Sequence, residues 1–180
     1  NLVNYEETRA NFDWWSDAFQ KMDWLPGGGL NNAYEAIDRH VAHGFGDKLA
    51  LIWVGKGGEE ERYTYAEFKD QSDKFGDVMN TLNIELGDRV FIFMDRLPEL
   101  YIAAMGILKA GGVIAPLFSA FGPDPVRDRM EDAGAKYLIT SPDLRSKLDG
   151  ILSEIKTLKN IVVVNKNGRS TDPLVDGDLS

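Results

Sequence analysis

Leu108-Lys109-Ala110-Gly111-Gly112-Val113-Ile114-Ala115-Pro116-Leu117 decides the fold class of this 180-residue chain. The stretch reads as the last turn of a buried helix, a Gly-Gly exit and a short apolar strand closed by proline. Lys109 suits a helix C-terminus, and glycine just beyond it permits a left-handed exit. Val113-Ile114-Ala115 is apolar without alternation, the pattern of a strand covered on both faces. Upstream, Gly87-Asp88-Arg89-Val90-Phe91-Ile92-Phe93-Met94 has the same character, and Pro98-Glu99-Leu100 opens a helix. This strand–helix–strand unit predicts a parallel α/β sheet.

The same alternation extends downstream. Strands are expected at 89–94, 113–117, 136–140 and 161–164, and helices at 98–110, 124–133 and 142–155. Asp124-Pro125 and Ser141-Pro142 read as N-cap/N1 pairs, and Gly134 as a helix exit. Thr64 and Glu67 form a capping box at the start of a helix that buries Tyr65, Phe68, Phe75, Val78, Met79 and Leu82. Ahead of it, Leu49 to Val54 and Arg62 to Thr64 read as a hairpin around Gly55-Lys56-Gly57-Gly58, attached near the sheet edge.

Two earlier helices are expected. Asn4 and Glu7 begin one with Tyr5, Phe12, Trp15 and Phe19 on a single stripe. Asn32 and Glu35 begin another, with Ala33, Ile37 and Val41 buried. The fold class predicted is α/β: a doubly wound, mostly parallel sheet with helices on both faces, an N-terminal helical appendage (1–44), an α/β subdomain (45–165) and a linker or truncated loop (166–180).

The bulk properties narrow the function classes. A chain of this length buries roughly 70% of its unfolded surface and needs no staple. Net charge is −9, which argues against nucleic acid or an anionic membrane as a general partner. The absence of cysteine removes disulfides, thiolate metal sites and cysteine nucleophiles. No apolar run approaches a membrane span, no signal peptide is visible, and cytoplasmic placement is the expectation. A chain that starts at Asn1 and stops on Asp176-Gly177-Asp178-Leu179-Ser180 is read as an excised fragment.

The motif candidates are few. Gly27-Gly28-Gly29, Gly55-Lys56-Gly57-Gly58 and Gly111-Gly112 lack the strand-before, helix-after context of a phosphate loop and read as turns. His40 and His43 have no carboxylate at ligand spacing on their face. His40 is read as a core histidine with one hydrogen-bond partner, and no metal site is expected. Trp14, Trp15 and Trp24 suit core or interface packing. Asp95 follows a strand at the edge where open α/β sheets place ligands; there it suits a magnesium ligand or, more simply, a helix start. Phe118 and Phe121 lie on the loop after the next strand, and Arg145 and Lys147 follow the strand after that. Together they offer an adenine face and a phosphate partner, or merely core phenylalanines beside a solvated basic helix end. Arg127 is expected to pair with Glu131 on the intervening helix, where Arg129 is also a surface residue.

"GDRVFIFM", "PELYIAAMGILKAGGVIAPLF", "LNNAYEAIDRH", "YTYAEF" and "YLITSPDL", in that order, resemble the adenylate-forming enzymes, above all the AMP-forming acetyl-CoA and short-chain acyl-CoA synthetases. The resemblance implies a parent ligase that uses ATP, Mg2+ and CoA to activate a short carboxylate through an acyl-adenylate. It implies CoA contacts at Phe118 and Arg145, although the family's Phe-Gly-Gly loop is Phe118-Ser119-Ala120 here. It implies no catalytic residue, because the phosphate loop ending in Pro-Lys-Gly and the adenylating lysine do not occur in this sequence. The chain alone is thus expected to be inactive, to need no cofactor, and to work with the remainder of the same polypeptide. The alternatives are a stand-alone flavodoxin-like nucleotide-binding or signalling module, or a non-catalytic interaction module. A phosphoacceptor module would need an acidic pair and a lysine that Asp95 alone does not supply.

Overall fold

The computed structural model describes residues 3–25 and 27–165, together with the backbone of 178–179. Two β-sheets are present. β1 (Leu49–Val54) and β2 (Glu60–Thr64) form an antiparallel hairpin. β3 (Arg89–Phe93), β4 (Val113–Pro116), β5 (Tyr137–Thr140), β6 (Asn160–Val163) and β7 (Asp178–Leu179) form a parallel sheet in the order β4-β3-β5-β6-β7. β7 adds a fifth strand within the segment expected to be a linker. Residues 166–177, which carry the rest of that expectation, lie outside the described residues.

β3 explains why its sequence does not alternate. Val90, Ile92 and Met94 enter one buried cluster with Met79, Ala103, Ala104 and Ile107. Phe91 and Phe93 enter the opposite one with Val126, Met130, Leu144 and Leu148. The first cluster belongs to α3 (Tyr65–Thr81) and α4 (Pro98–Lys109), the second to α5 (Pro123–Asp132) and α6 (Pro142–Ser146). Helices therefore cover both faces, and a strand buried on both sides must be apolar at every position.

Several local expectations hold at the level of single bonds. Thr64 and Glu67 make the reciprocal capping box at the start of α3. Gly111 (φ 82°) and Gly134 (φ 60°) take the left-handed conformation after α4 and α5. Others are corrected. Val78 lies on the solvent face of α3, 43% exposed, while Ser72 and Gly76 turn inward because α4 approaches too closely for larger side chains. α5 begins at Pro123 with Gly122 as its N-cap, so Asp124 is already inside the helix. The expected helix over 142–155 is only α6 followed by a 3-10 turn at Leu152–Glu154. Leu144, Leu148, Ile151 and Ile155 still point into the core, but Gly150 is a poor helix residue between them.

The N-terminal region also departs from two regular helices. α1 (Tyr5–Asn11) stops at Phe12, and a separate wide turn at Trp14–Ala18 is capped by Asp13. The next start is set by Asn31, not Asn32: its Oδ1 accepts the amides of Ala33 and Tyr34 at 2.9 and 3.1 Å. Glu35 instead accepts the amides of Asp23 and Trp24 and pairs with Arg39. A wide turn at Tyr34–Asp38 leads into α2 (Arg39–Ala42); Ala33 and Ile37 are buried, and Val41 is half-buried. Lys109 reaches across to this region, holding Asp38 at 2.7 Å and Asp73 at 2.6 Å.

Two outcomes follow from this packing. A Cβ on Gly106 would sit 2.8 Å from Phe75 Cβ and from the Ser72 carbonyl oxygen, whereas one on Gly122 meets open space. Gly106→Ala is expected to cost about 1–3 kcal/mol and Gly122→Ala almost nothing, as read by urea unfolding. Burial pushes the Asp88 carboxyl up, but Lys136 at 2.6 Å and the Glu85 amide outweigh it and hold the pKa below the ordinary aspartate value. Its stabilisation is complete above the unfolded pKa near 3.9 and is lost as pH falls through the lower folded value. Asp88→Asn should flatten the acid limb of a stability–pH curve below about pH 4.

Candidate functional site

The two edges of the parallel sheet differ in chemistry. At the N-terminal edge the half-buried and buried polar side chains are committed to structure. Arg89 donates to the Ala133 and Gly134 carbonyls at the end of α5, Asp88 holds Lys136, and Tyr137 donates to the Leu82 and Asn83 carbonyls at 3.1 Å. The C-terminal edge instead presents exposed Asp95, Arg96, Phe118 and Lys147.

Strand order locates the opening. From β3 the chain steps to β4 on one side; from β4 it crosses back over β3 to β5 and continues to β6. The loops leaving β3 and β5 thus diverge, and open α/β sheets bind ligands at that divergence. The two strand ends are pinned together there, because Thr140 Oγ1 donates to the Phe93 carbonyl at 2.7 Å in the buried interior. From the other side the hairpin closes on the loop after β3: Trp53 Nε1 donates to the Arg96 carbonyl at 2.6 Å. The hairpin therefore packs on α3 and reaches this loop at the edge of the sheet.

Each sequence candidate now has a place. Asp95 is exposed, and its carbonyl accepts the Leu97 amide at 2.8 Å. The N-cap of α4 is Leu97, so Asp95 does not start that helix through its side chain. Phe118 is 60% exposed and stands edge-on to Phe121 at 5.8 Å. The Phe121 amide closes a turn onto the Phe118 carbonyl at 2.9 Å. Phe121 itself packs against the core and carries the Arg129 guanidinium over its ring at 4.6 Å, so one ring supports and the other is offered.

Arg145 is 8% exposed and pairs with Asp149 one turn on. Its charge is fixed at the edge and already compensated, not solvated; Lys147 is the exposed cation beside it. Arg127 pairs with Asp124, Asp128 and Glu154 instead of Glu131. His40 lies against the Tyr65 ring at 4.7 Å, and His43 meets Asp23 at 2.7 Å. Among the described residues no three His, Asp or Glu side chains converge as metal ligands.

Acidic groups flank the opening near the hairpin. Tyr63 donates to Glu61 at 2.8 Å, and one oxygen of Glu99 in the first turn of α4 is buried without a hydrogen-bond partner. Burial, the bond to Glu61 and the surrounding charges of Glu61, Glu99 and Glu67 push the Tyr63 phenol up to about 12. The hairpin side of this edge is therefore unfavourable to an anion, whereas Arg96 and Lys147 place exposed cations on the same edge.

Comparison with known proteins gives this geometry a context. Residues 38–178 match the family described as AMP-binding enzyme. The chain is 39% identical over 179 residues to acetyl-coenzyme A synthetase of Bacillus subtilis, covering 99% of the chain and 31% of that protein. It is 36% identical over 165 residues to the protein of the same name from Mycolicibacterium smegmatis, covering 86% and 17%. The crystal structure of an acyl-CoA synthetase from Brucella canis superimposes with a TM-score of 0.83 at 28% identity, over 99% of this chain and 31% of that one. The chain thus spans between about a sixth and a third of the length of these relatives. The observed strand order is also the flavodoxin-like one, so topology alone does not separate the alternatives; the sequence relatives do, and they do not favour a stand-alone module.

The Trp53 bond yields a direct test. Trp53→Phe keeps an aromatic ring but removes the indole donor, at a cost of about 1 kcal/mol. Amide hydrogen exchange should accelerate at residues 95–97 and stay unchanged in α5.

Proposed function

Because the chain belongs to the AMP-binding enzyme family, we propose that it is the N-terminal third of an AMP-forming acyl-CoA synthetase that activates acetate or another short carboxylate. The observation that carries this reading is the collinear match to acetyl-coenzyme A synthetases over nearly the whole chain. In the proposed reaction the carboxylate oxygen attacks the α-phosphorus of ATP and expels pyrophosphate. The CoA thiol then attacks the acyl carbon, loses its proton and displaces AMP.

This segment's share is architectural and concerns CoA. Phe118, held outward by the closed turn to Phe121, offers a face to adenine. Arg145, fixed by Asp149, supplies a positioned charge for the ribose 3′-phosphate, and the anion takes over part of Asp149's role. No magnesium ligand is assigned to this segment. The transition-state charge on the transferred group is stabilised elsewhere in the polypeptide, since no phosphate loop ending in Pro-Lys-Gly occurs here. The division into an appendage (1–44) and an α/β subdomain (45–165) belongs to the same reading. So does a cytoplasmic location without nucleic-acid or membrane partners, supported by the acidic charge and by the lack, among the described residues, of any helix long and apolar enough to span a membrane.

The protein encoded by the complete reading frame should release AMP and form acetyl-CoA from acetate, ATP and CoA; absence of acetate-dependent AMP release would refute the reading. In that protein Phe118→Ala should raise KM for CoA roughly tenfold, the loss of one base-stacking contact of about 1–3 kcal/mol, with KM for acetate unchanged. The 180-residue chain alone should show no acetate-dependent pyrophosphate exchange above a no-enzyme control.

A further inference from the structure

A group of exposed aromatic side chains lies far in sequence from the strand ends. Trp14 and Trp15 are 75% and 76% exposed, with Tyr5, Phe12 and Phe19 also open to solvent. Phe12 stands edge-on to Trp14 at 5.2 Å, and Trp15 leans on Phe19 at 6.1 Å, so the exposed rings make two pairs joined by adjacent residues. Neither α1 nor the turn Trp14–Ala18 contains a buried residue. Ordering such a segment costs about 1–2 kcal/mol per residue, and the partial cover of Asp17, Ala18 and Phe19 repays little of it.

The turn is nevertheless built to one shape. Asp13 Oδ1 accepts from the Trp15 and Ser16 amides and from Ser16 Oγ at 3.1, 2.8 and 2.9 Å. Asp17 Oδ2 returns a bond to the Asp13 amide at 2.7 Å. This reciprocal lock presents two adjacent indoles outward. Residues of that type, held in advance, are the ones that anchor interfaces. The segment is fastened to the rest of the molecule at its far end, where Glu35 holds the Asp23 and Trp24 amides and Arg39 holds the Lys21 carbonyl.

Resting on the reading above, we propose that Trp14 and Trp15 form a docking knob whose occupant is the remaining two-thirds of the synthetase polypeptide. The relatives carry this fold as 31% of a longer chain. A partner in the same chain is present at an effective concentration on the order of millimolar, so it covers an apolar face before a second copy does. The knob therefore helps hold the segment to the body that carries the adenylation chemistry.

The test is a chimera in which this chain replaces the matching third of the Bacillus subtilis enzyme, with and without Trp14→Ala/Trp15→Ala. The same substitutions are made in the isolated chain. In the isolated chain Tm should not change, because both rings face water. In the chimera Tm should fall by at least about 2 °C. Equal Tm values for the two chimeras, or a wild-type chimera that does not fold, would overturn the proposal. So would a concentration-dependent dimer of the isolated chain, seen in sedimentation, that the substitutions abolish; the occupant would then be a second copy. Acetyl-CoA formation separates the two readings. An active wild-type chimera with an indifferent variant refutes the docking alone. A folded but inactive one refutes the function, while the Tm difference still decides the docking.

Discussion

Burial of β3 on both faces is the constraint on which the rest of this structure depends. Val90 through Met94 are all within the core, and each alternate side chain meets a different pair of helices. A strand in that position needs a parallel neighbour on each side and a helical layer above and below. β4 and β5 supply the neighbours, in registers that set Phe91 against Ala115 and Leu138. α3 and α4 make one layer, at a separation that only glycine tolerates at Gly106. The other layer follows from α5 and α6.

Functional asymmetry is a consequence of that arrangement. Parallel strands put all their C-terminal ends on one edge, and the return crossing over β3 opens a divergence there. At the opposite edge, Arg89, Asp88, Lys136 and Tyr137 spend their hydrogen bonds on helix ends and turns. Polar groups at one edge are consumed by stability, whereas Asp95, Arg96 and Lys147 at the other are exposed. The same logic distinguishes Phe121, which is spent on the core and Arg129, from Phe118, which is not.

Elements whose sequence is over-determined were legible without coordinates. β3 shows an unbroken apolar run buried on both faces, whereas the run of β4 marks a strand but not its burial, since β4 ends the sheet and Val113 is 47% exposed. The Thr64/Glu67 box marks a helix start with two reciprocal bonds, and Gly111 and Gly134 take the left-handed conformation. Position-specific choices between near-equivalent residues were not. Asn31 and Asn32 are equally good caps by type, and the deciding contact is the bond from Asn31 to the Leu108 carbonyl, 77 residues away. Lys109 suits its helix end by charge, yet its partners are carboxylates on two other segments. The aromatic stripe from Tyr5 to Phe19 has helical spacing, but Asp13 offers the backbone a competing cap and breaks it. For the site, Phe118 and Arg145 were visible as residues after strand ends. The burial of Arg145 and the place of Arg96 depend on packing and strand order.

If β3 holds the sheet together, its amides open only when the whole molecule unfolds. Native-state hydrogen exchange read residue by residue measures this directly. The expected result is that amides of β3 and β5 exchange with the global unfolding free energy, while those of the hairpin and of residues 5–18 exchange through smaller openings. Exchange of the β3 amides at a free energy below that of the hairpin would contradict the account.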